Sequence, residues 1–454
     1  MPADGHVIFL VADSLRYDSA HLAGQATLPY TESRSTRFSQ MRSAGCWTLP
    51  ATGSMFTGLL PSEHGATTQT RDISRDVPTV AERYRDAGYR TVQITANPAT
   101  THIFGLDRGF DEVHRVWTLA DRRHGLVDTI LSILARPRIR RKLLTDTEDF
   151  VAGRLAEDVN AARSWMQSNA EMQFDMARRI LRECENRGQK AFLFINLMES
   201  HFPYHIADTF EPSRDGVIWR AKEIVSLFHL ANQTRLTVDR EVIAPPMLLA
   251  LRDRQRRAWN RLAPMIDAFL QEMHEDTGNH VFFGSDHGDN FGEQNWEYHF
   301  SNVNDAGTHV LFHALPPDAE PRTIHTPVSA RHIHGTLLAA GQLDTPDDPV
   351  DVVAEPERSL PIQESYWYNK DNKTLPQYRF NQFAFIADHH KYVLRNTQWL
   401  RSRIAGDQAE SLFEVLPPDA CPVHDVELDP ELRTTLLGHF DHFLAYSRRV
   451  GTGR

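Results

Sequence analysis

Six side chains of this sequence have the chemistry of a metal-assisted transfer site: Asp13, Thr48, Asn97, His201, Asp286 and His287. Two carboxylates, an imidazole and a hydroxyl make a four-donor set for a divalent cation. The mixed oxygen and nitrogen donors suit zinc or manganese better than calcium. Thr48 lies in residues 45–65 (GCWTLPATGSMFTGLLPSEHG), where small residues and Pro50 precede a short apolar run. Pro50 suits a first helical position, and the Ser/Thr cluster can satisfy N–H groups there. A helix N-terminus gathers unpaired N–H donors and positive dipole, so a hydroxyl just before it would sit beside a bound phosphoryl or sulfuryl group. Taken alone, each residue has a plainer reading: a capped helix for Thr48, a cap for Asp13, a turn before proline for Asn97.

The elements that must position these residues follow from the apolar pattern. Residues 6–12 (HVIFLVA), 90–96 (RTVQITA), 190–198 (KAFLFINLM) and 280–285 (HVFFGS) are short apolar runs with the profile of strands buried on both faces. Asp13, Asn97, His201 and Asp286-His287 follow those runs. In a parallel sheet these ends share one edge, where open α/β sheets place ligands. Residues 77–88 predict a helix closed by Gly88, and residues 308–316 (THVLFHALP) a fifth strand. Residues 208–275 read as helical or irregular, most clearly helical in RAWNRLAPMIDAFLQEM.

From about 116 to 188 the pattern is helical, and GLVDTILSILARPRIRRKLL runs from apolar to basic (Arg136, Arg138, Arg140, Arg141, Lys142). A solvated insertion helix is the plainer reading, and contact with a membrane surface or lipid headgroup is the other. The stretch DTPDDPVDVVAEPERSLP is acidic and proline-rich, as a linker would be. Short alternating runs and a terminal helix follow it. The expected fold is α/β, a mostly parallel central sheet sandwiched by helices, with a small C-terminal antiparallel sheet-and-helix subdomain. The expected division is a catalytic domain over 1–345, with a helical insertion at about 118–190, and the subdomain over 346–454.

Composition bounds the rest. The chain has 454 residues, 24% charged and 41% hydrophobic, as an ordinary globular protein has. A net charge of −11 argues against nucleic acid as a partner. Cys46, Cys184 and Cys421 are too scattered for a disulfide framework or a zinc motif. The first residues show no basic leader or cleavage signature, and no apolar run is long enough to span a membrane, which together predict a cytoplasmic location. Oligomeric state is left open.

With these pieces in order, the sequence resembles the sulfatase-like branch of the alkaline phosphatase superfamily. The resemblance rests on VADSLRYD, TLPATGSMFTGLLPSEHG, NPATTHIFGLDRGFDE, NLMESHFPY and GSDHGDNFGE, in family order over roughly residues 6–316. It implies Asp13, Thr48, Asp286 and His287 as ligands of a divalent metal ion, zinc or manganese favoured and calcium or magnesium open. It implies Asn97 holding a non-bridging oxygen, and His201 and His299 contacting the phosphoryl group or leaving oxygen.

Ten residues before Gly58, where sulfatases carry the cysteine of Cys-x-Pro-x-Arg, stands Thr48, and Thr52 replaces the arginine. Cys46 is out of register, so no formylglycine is expected. A second metal would need a further Asp-x-x-x-His pair. Asp276 and His280 have that spacing, but His280 opens the strand whose far end carries Asp286, roughly 20 Å away. The implied activity is hydrolysis of a small phosphate or phosphonate ester through phospho-Thr48. A sulfatase, a phosphotransferase to an alcohol and an inactive binding homologue are the alternatives.

Overall fold

In the computed structural model the described residues are 5–21, 26–116, 170–202, 204, 245–276, 278–299, 302–317, 320–343, 349–367, 379–404 and 413–450. The basic stretch 136–142, most of the expected insertion and residues 205–244 lie outside them. Eight strands form the main sheet: β1 (Val7–Ala12), β2 (Thr36–Phe38), β3 (Arg90–Thr95), β4 (Glu112–Arg115), β5 (Ala191–Leu197), β6 (His280–Gly284), β7 (Phe312–Leu315) and β8 (Arg322–Ile324). Their order is β8-β2-β7-β6-β1-β5-β3-β4. Only β7 runs against the others, pairing antiparallel with both β6 and β2. The expected fifth strand thus exists but reverses direction, because it returns from the loop after β6 to the adjacent position without a crossover helix.

β1 is buried along its whole length and alternates between two cores. Val7, Phe9 and Val11 pack with Met55 and Phe56 of helix α1 (Thr48–Thr57), Tyr84 of α2 (Val80–Asp86) and Leu337 of a later helix. Ile8, Leu10 and Ala12 face Phe174 of α3 (Ala170–Asn186) and Trp259 and Ile266 of α4 (Pro245–Glu275). Burying an apolar side chain of this size stabilises the fold by about 1.5–3 kcal/mol. The sheet between helices is therefore what the near-continuous apolar runs require. α2 starts later than its apolar pattern, at Val80, because Thr79 and Glu82 form a reciprocal cap: the Glu82 N–H donates to Thr79 Oγ1 (3.2 Å), and the Thr79 N–H to Glu82 Oε2 (2.9 Å).

The C-terminal sheet is fully antiparallel: β9 (Ile362–Ser365), β10 (Gln382–Ala387), β11 (His390–Arg395), β12 (Gln398–Arg403) and β13 (Glu414–Val415). β10 and β11 are joined by Asp388 and His389, both at positive φ, the backbone that a two-residue hairpin demands. Helix α6 (Pro430–Val450) covers it, with the Phe440 ring 5.2 Å from that of Phe383. The described part of the acidic, proline-rich stretch before β9, residues 349–361, is not a loose linker. Val352 is fully buried, and its N–H donates to Thr336 Oγ1 (3.1 Å) on helix α5 (Ile333–Ala340). Its valines supplied apolar area that the acidic composition concealed. β9 also reaches back to the turn before α1, where the Glu364 N–H donates to the Ala44 carbonyl (2.9 Å). Among the described residues no helix is long and apolar enough to cross a membrane.

Candidate active site

Trp47 is extended and α1 begins at Thr48, so this hydroxyl stands at the helix N-terminus, in its first turn rather than before it. Pro50 takes the third helical position, where the missing N–H costs nothing. The helix stops at Gly58 (φ +76°), whose N–H donates to the Ser54 carbonyl (2.9 Å). Thr48 Oγ1 lies 3.4 Å from Asp13 Oδ2, 3.4 Å from His287 Nε2 and 3.2 Å from Asn97 Nδ2.

The strand register brings these partners together. Val11 of β1 stands beside Gly284 of β6, so Asp13 and Asp286 leave their strands at one level. Asp286 Oδ1 accepts the N–H groups of Ser14 (3.2 Å) and His287 (2.9 Å), while Oδ2 is buried with no hydrogen-bond partner. His287 Nδ1 donates to the Gly288 carbonyl (3.0 Å), which leaves Nε2 as an acceptor, 3.6 Å from Asp13 Oδ1 and 3.5 Å from Asp286 Oδ2.

An orphaned buried carboxylate oxygen, a second carboxylate, an imidazole lone pair and a hydroxyl on one point fit a divalent cation. The electrostatics agree. Burial, and next the neighbouring Asp13, push the Asp286 carboxyl up to about 7. Burial opposes ionisation of Asp13 too, but His201, His287 and the amides of Asn97 and Asn196 outweigh it and hold Asp13 below the usual range. His287 is raised, since Asp286 and Asp13 overcome its burial. Below about pH 7 one of the two carboxylates therefore keeps a proton unless a cation takes its place.

The histidines form the other wall. The His299 ring lies 4.7 Å from that of His287 and 5.2 Å from that of His201. His299 Nδ1 is 2.6 Å from Asp289 Oδ1. Burial pulls the His299 imidazole down to about 4, against the opposing charge of Asp289. Burial alone would raise Asp289, yet His299 keeps it below the carboxylate range. The structure therefore brings all the expected residues (Asp13, Thr48, Asn97, His201, Asp286, His287 and His299) to one edge of the sheet.

Cys46 points elsewhere, with Sγ 3.6 Å from Asn302 Oδ1. His280 pairs with Val7 at the opposite end of β6 from Asp286. A further group that could hold a cation, His287, Asp289 and His299, shares His287 with the first.

Sequence reasoning missed two residues. Asn196 Nδ2 donates to Asp13 Oδ2 (3.2 Å) from the end of β5, where its single polar side chain in FLFINL was the available signal. Asp289 is the third polar residue of DHGD, and only tertiary contact shows its partner.

The sulfatase family profile matches residues 5–343. Among solved structures, the phosphonate monoester hydrolase of Agrobacterium radiobacter superposes with a TM-score of 0.57 at 16% identity, over 99% of this chain and 96% of that one. A protein of the alkaline phosphatase superfamily from Vibrio parahaemolyticus gives 0.58 at 13%, over 100% and 91%. The lipoteichoic acid synthase from Listeria monocytogenes gives 0.57 at 13%, over 98% and 92%. At such identities the likeness is one of fold. No protein of curated function matches in sequence.

Proposed function

This chain belongs to the sulfatase family, and from that premise we propose that it is a metal-dependent hydrolase of phosphate or phosphonate esters that works through a covalent phospho-Thr48 intermediate. One observation carries the reading: a threonine hydroxyl, not a cysteine, stands at the helix N-terminus among Asp13, Asn97 and His287. Oxidising threonine's secondary alcohol would yield a ketone, so the hydrated-aldehyde route of formylglycine sulfatases is closed to it. Phosphorus, by contrast, accepts in-line attack twice.

Asp13, Thr48, Asp286 and His287 would hold the cation. When bound, a divalent ion supplies Lewis-acid charge that lowers the pKa of a nearby hydroxyl and offsets charge on the phosphoryl oxygens. Thr48 Oγ1, its hydroxyl proton first given up to solvent, attacks phosphorus as an alkoxide while the bond to the alcohol breaks. Asn97 donates to a non-bridging oxygen from the side chain that already reaches Thr48. His299 or His201, charged once the anionic ester and, for His299, the Asp289 carboxylate offset its burial, gives the departing alkoxide its proton. Water then attacks the phospho-threonine from the vacated side, the same histidine accepts its proton, and Thr48 is released. The substrate is a small ester, and the α1 N-terminus favours its negative charge.

The test is metal analysis together with chromogenic phosphate monoester, phosphate diester, phosphonate monoester and sulfate ester substrates, given to the purified protein and to Thr48→Ala. Expected is metal-dependent phosphorus-ester turnover that falls by roughly 10⁴-fold or more in Thr48→Ala, with a phosphate adduct on Thr48 in acid-quenched mass spectra. Sulfate-ester turnover that survives Thr48→Ala would overturn the assignment.

A further inference from the structure

Resting on that reading of His299, we infer that Asp289 is a positioning residue, which orients His299 directly and, through Tyr204, the turn that carries His201. The Asp289 side chain is fully buried, and each oxygen has its own partner: Oδ1 accepts from His299 Nδ1 (2.6 Å), Oδ2 from the Tyr204 hydroxyl (2.8 Å). A carboxylate accepts only, so the shared proton resides on Nδ1 and the His299 tautomer is set. The Asp289 backbone is itself anchored, because Arg16 Nη1 donates to its carbonyl (3.0 Å) and also pairs with Glu293 (2.6 Å).

Tyr204 extends the reach of Asp289. It sits at φ +57°, a backbone state that costs an aromatic residue energy unless its surroundings hold it there. Its N–H donates to the His201 carbonyl (2.7 Å), and its hydroxyl is held by Asp289. One carboxylate therefore ties the segments of His201 and Tyr204 on one hand and of His299 on the other, which approach the site from different strands. Asp289 is also one of three groups that could hold a second cation with His287 and His299. With both oxygens already accepting hydrogen bonds, the contacts favour the positioning role over a ligand role.

The experiment uses the metal-loaded protein, its Asp289→Asn, His299→Ala and doubly substituted forms, and a set of aryl phosphorus esters from p-nitrophenyl to phenyl. Asp289→Asn keeps the size of the side chain but cannot accept at both oxygens. A proton donor matters most for poor leaving groups. Asp289→Asn is expected to lower kcat/KM about tenfold for p-nitrophenyl and about 10²–10³-fold for phenyl esters. His299→Ala should steepen the dependence in the same way, and the double variant should lose no more than the worse single one. Metal content should stay unchanged, and the far-downfield proton signal that His299→Ala abolishes should vanish in Asp289→Asn as well.

An equal loss across leaving groups, multiplying losses in the double variant, a persistent downfield signal or a missing metal ion in Asp289→Asn would each overturn the inference. If His299→Ala alone proves indifferent to the leaving group, the catalytic reading of His299 falls, while the proton signal still decides whether Asp289 orients it.

Discussion

Asp13 and Asp286-His287 stand at the ends of β1 and β6, adjacent strands in the middle of the sheet, whereas His201 and His299 stand in loops, held by Asp289 and by Tyr204 at positive φ. The ligand side borrows its rigidity from the backbone ladder: Asp13 donates its own N–H to Leu197 (2.9 Å), and Asp286 is fixed by two N–H groups. The histidine side has only a two-residue ladder, Asn290-Phe291 against Glu297-Tyr298 beside Asp289 and His299, and depends for the rest on side-chain hydrogen bonds. The difference suits the proposed tasks, since metal ligands need a fixed geometry whereas groups that meet a leaving alcohol must adapt to it.

If the two walls have separate duties, substitutions should separate them. Asp286→Asn is expected to leave little metal bound and to lower kcat/KM about 10³-fold or more, equally for good and poor leaving groups. Metal analysis and the aryl ester series check this, and a loss that grows with leaving-group pKa would erase the distinction between the walls. Asn196→Ala removes the amide that holds Asp13 but leaves the strand backbone intact. It should weaken metal affinity about 10–100-fold while kcat at saturating metal is retained, as a metal titration of activity would read.

The smallest effect concerns pH. In the metal-free protein the Asp286 carboxyl is raised to about 7, so below that pH it holds a proton that the cation must displace. The raised His287 acts in the same direction. Affinity should therefore fall as pH drops through about 7, by about tenfold per unit for each displaced proton, and level off above it. Calorimetry in buffers of different ionisation heat measures the released proton. An affinity unchanged from about pH 6 to 8 would show that neither group is protonated in the free site.

Much of this was legible in the chain. β1, β3, β5 and β6 announce themselves as largely apolar runs, each followed by a polar residue, because a strand buried on both faces must be mostly apolar until it leaves the sheet. That pattern set Asp13, Asn97 and Asp286 on one edge, Pro50 and its Ser/Thr neighbours put Thr48 at a helix start, and the family motif singled Thr48 out as the nucleophile. Three short strands of the main sheet went unread, at 36–38, 112–115 and 322–324, because three or four residues do not rise above loop composition. The reversal of β7, the burial of Val352 and the contact of β9 with Ala44 needed the tertiary structure, since each joins segments far apart in sequence. So did the pairing of Asp289 with His299 and Tyr204. Local pattern tells a residue whether it is buried and in what element, but the partner of a buried carboxylate is chosen by the packing of loops, and no spacing in the sequence encodes it.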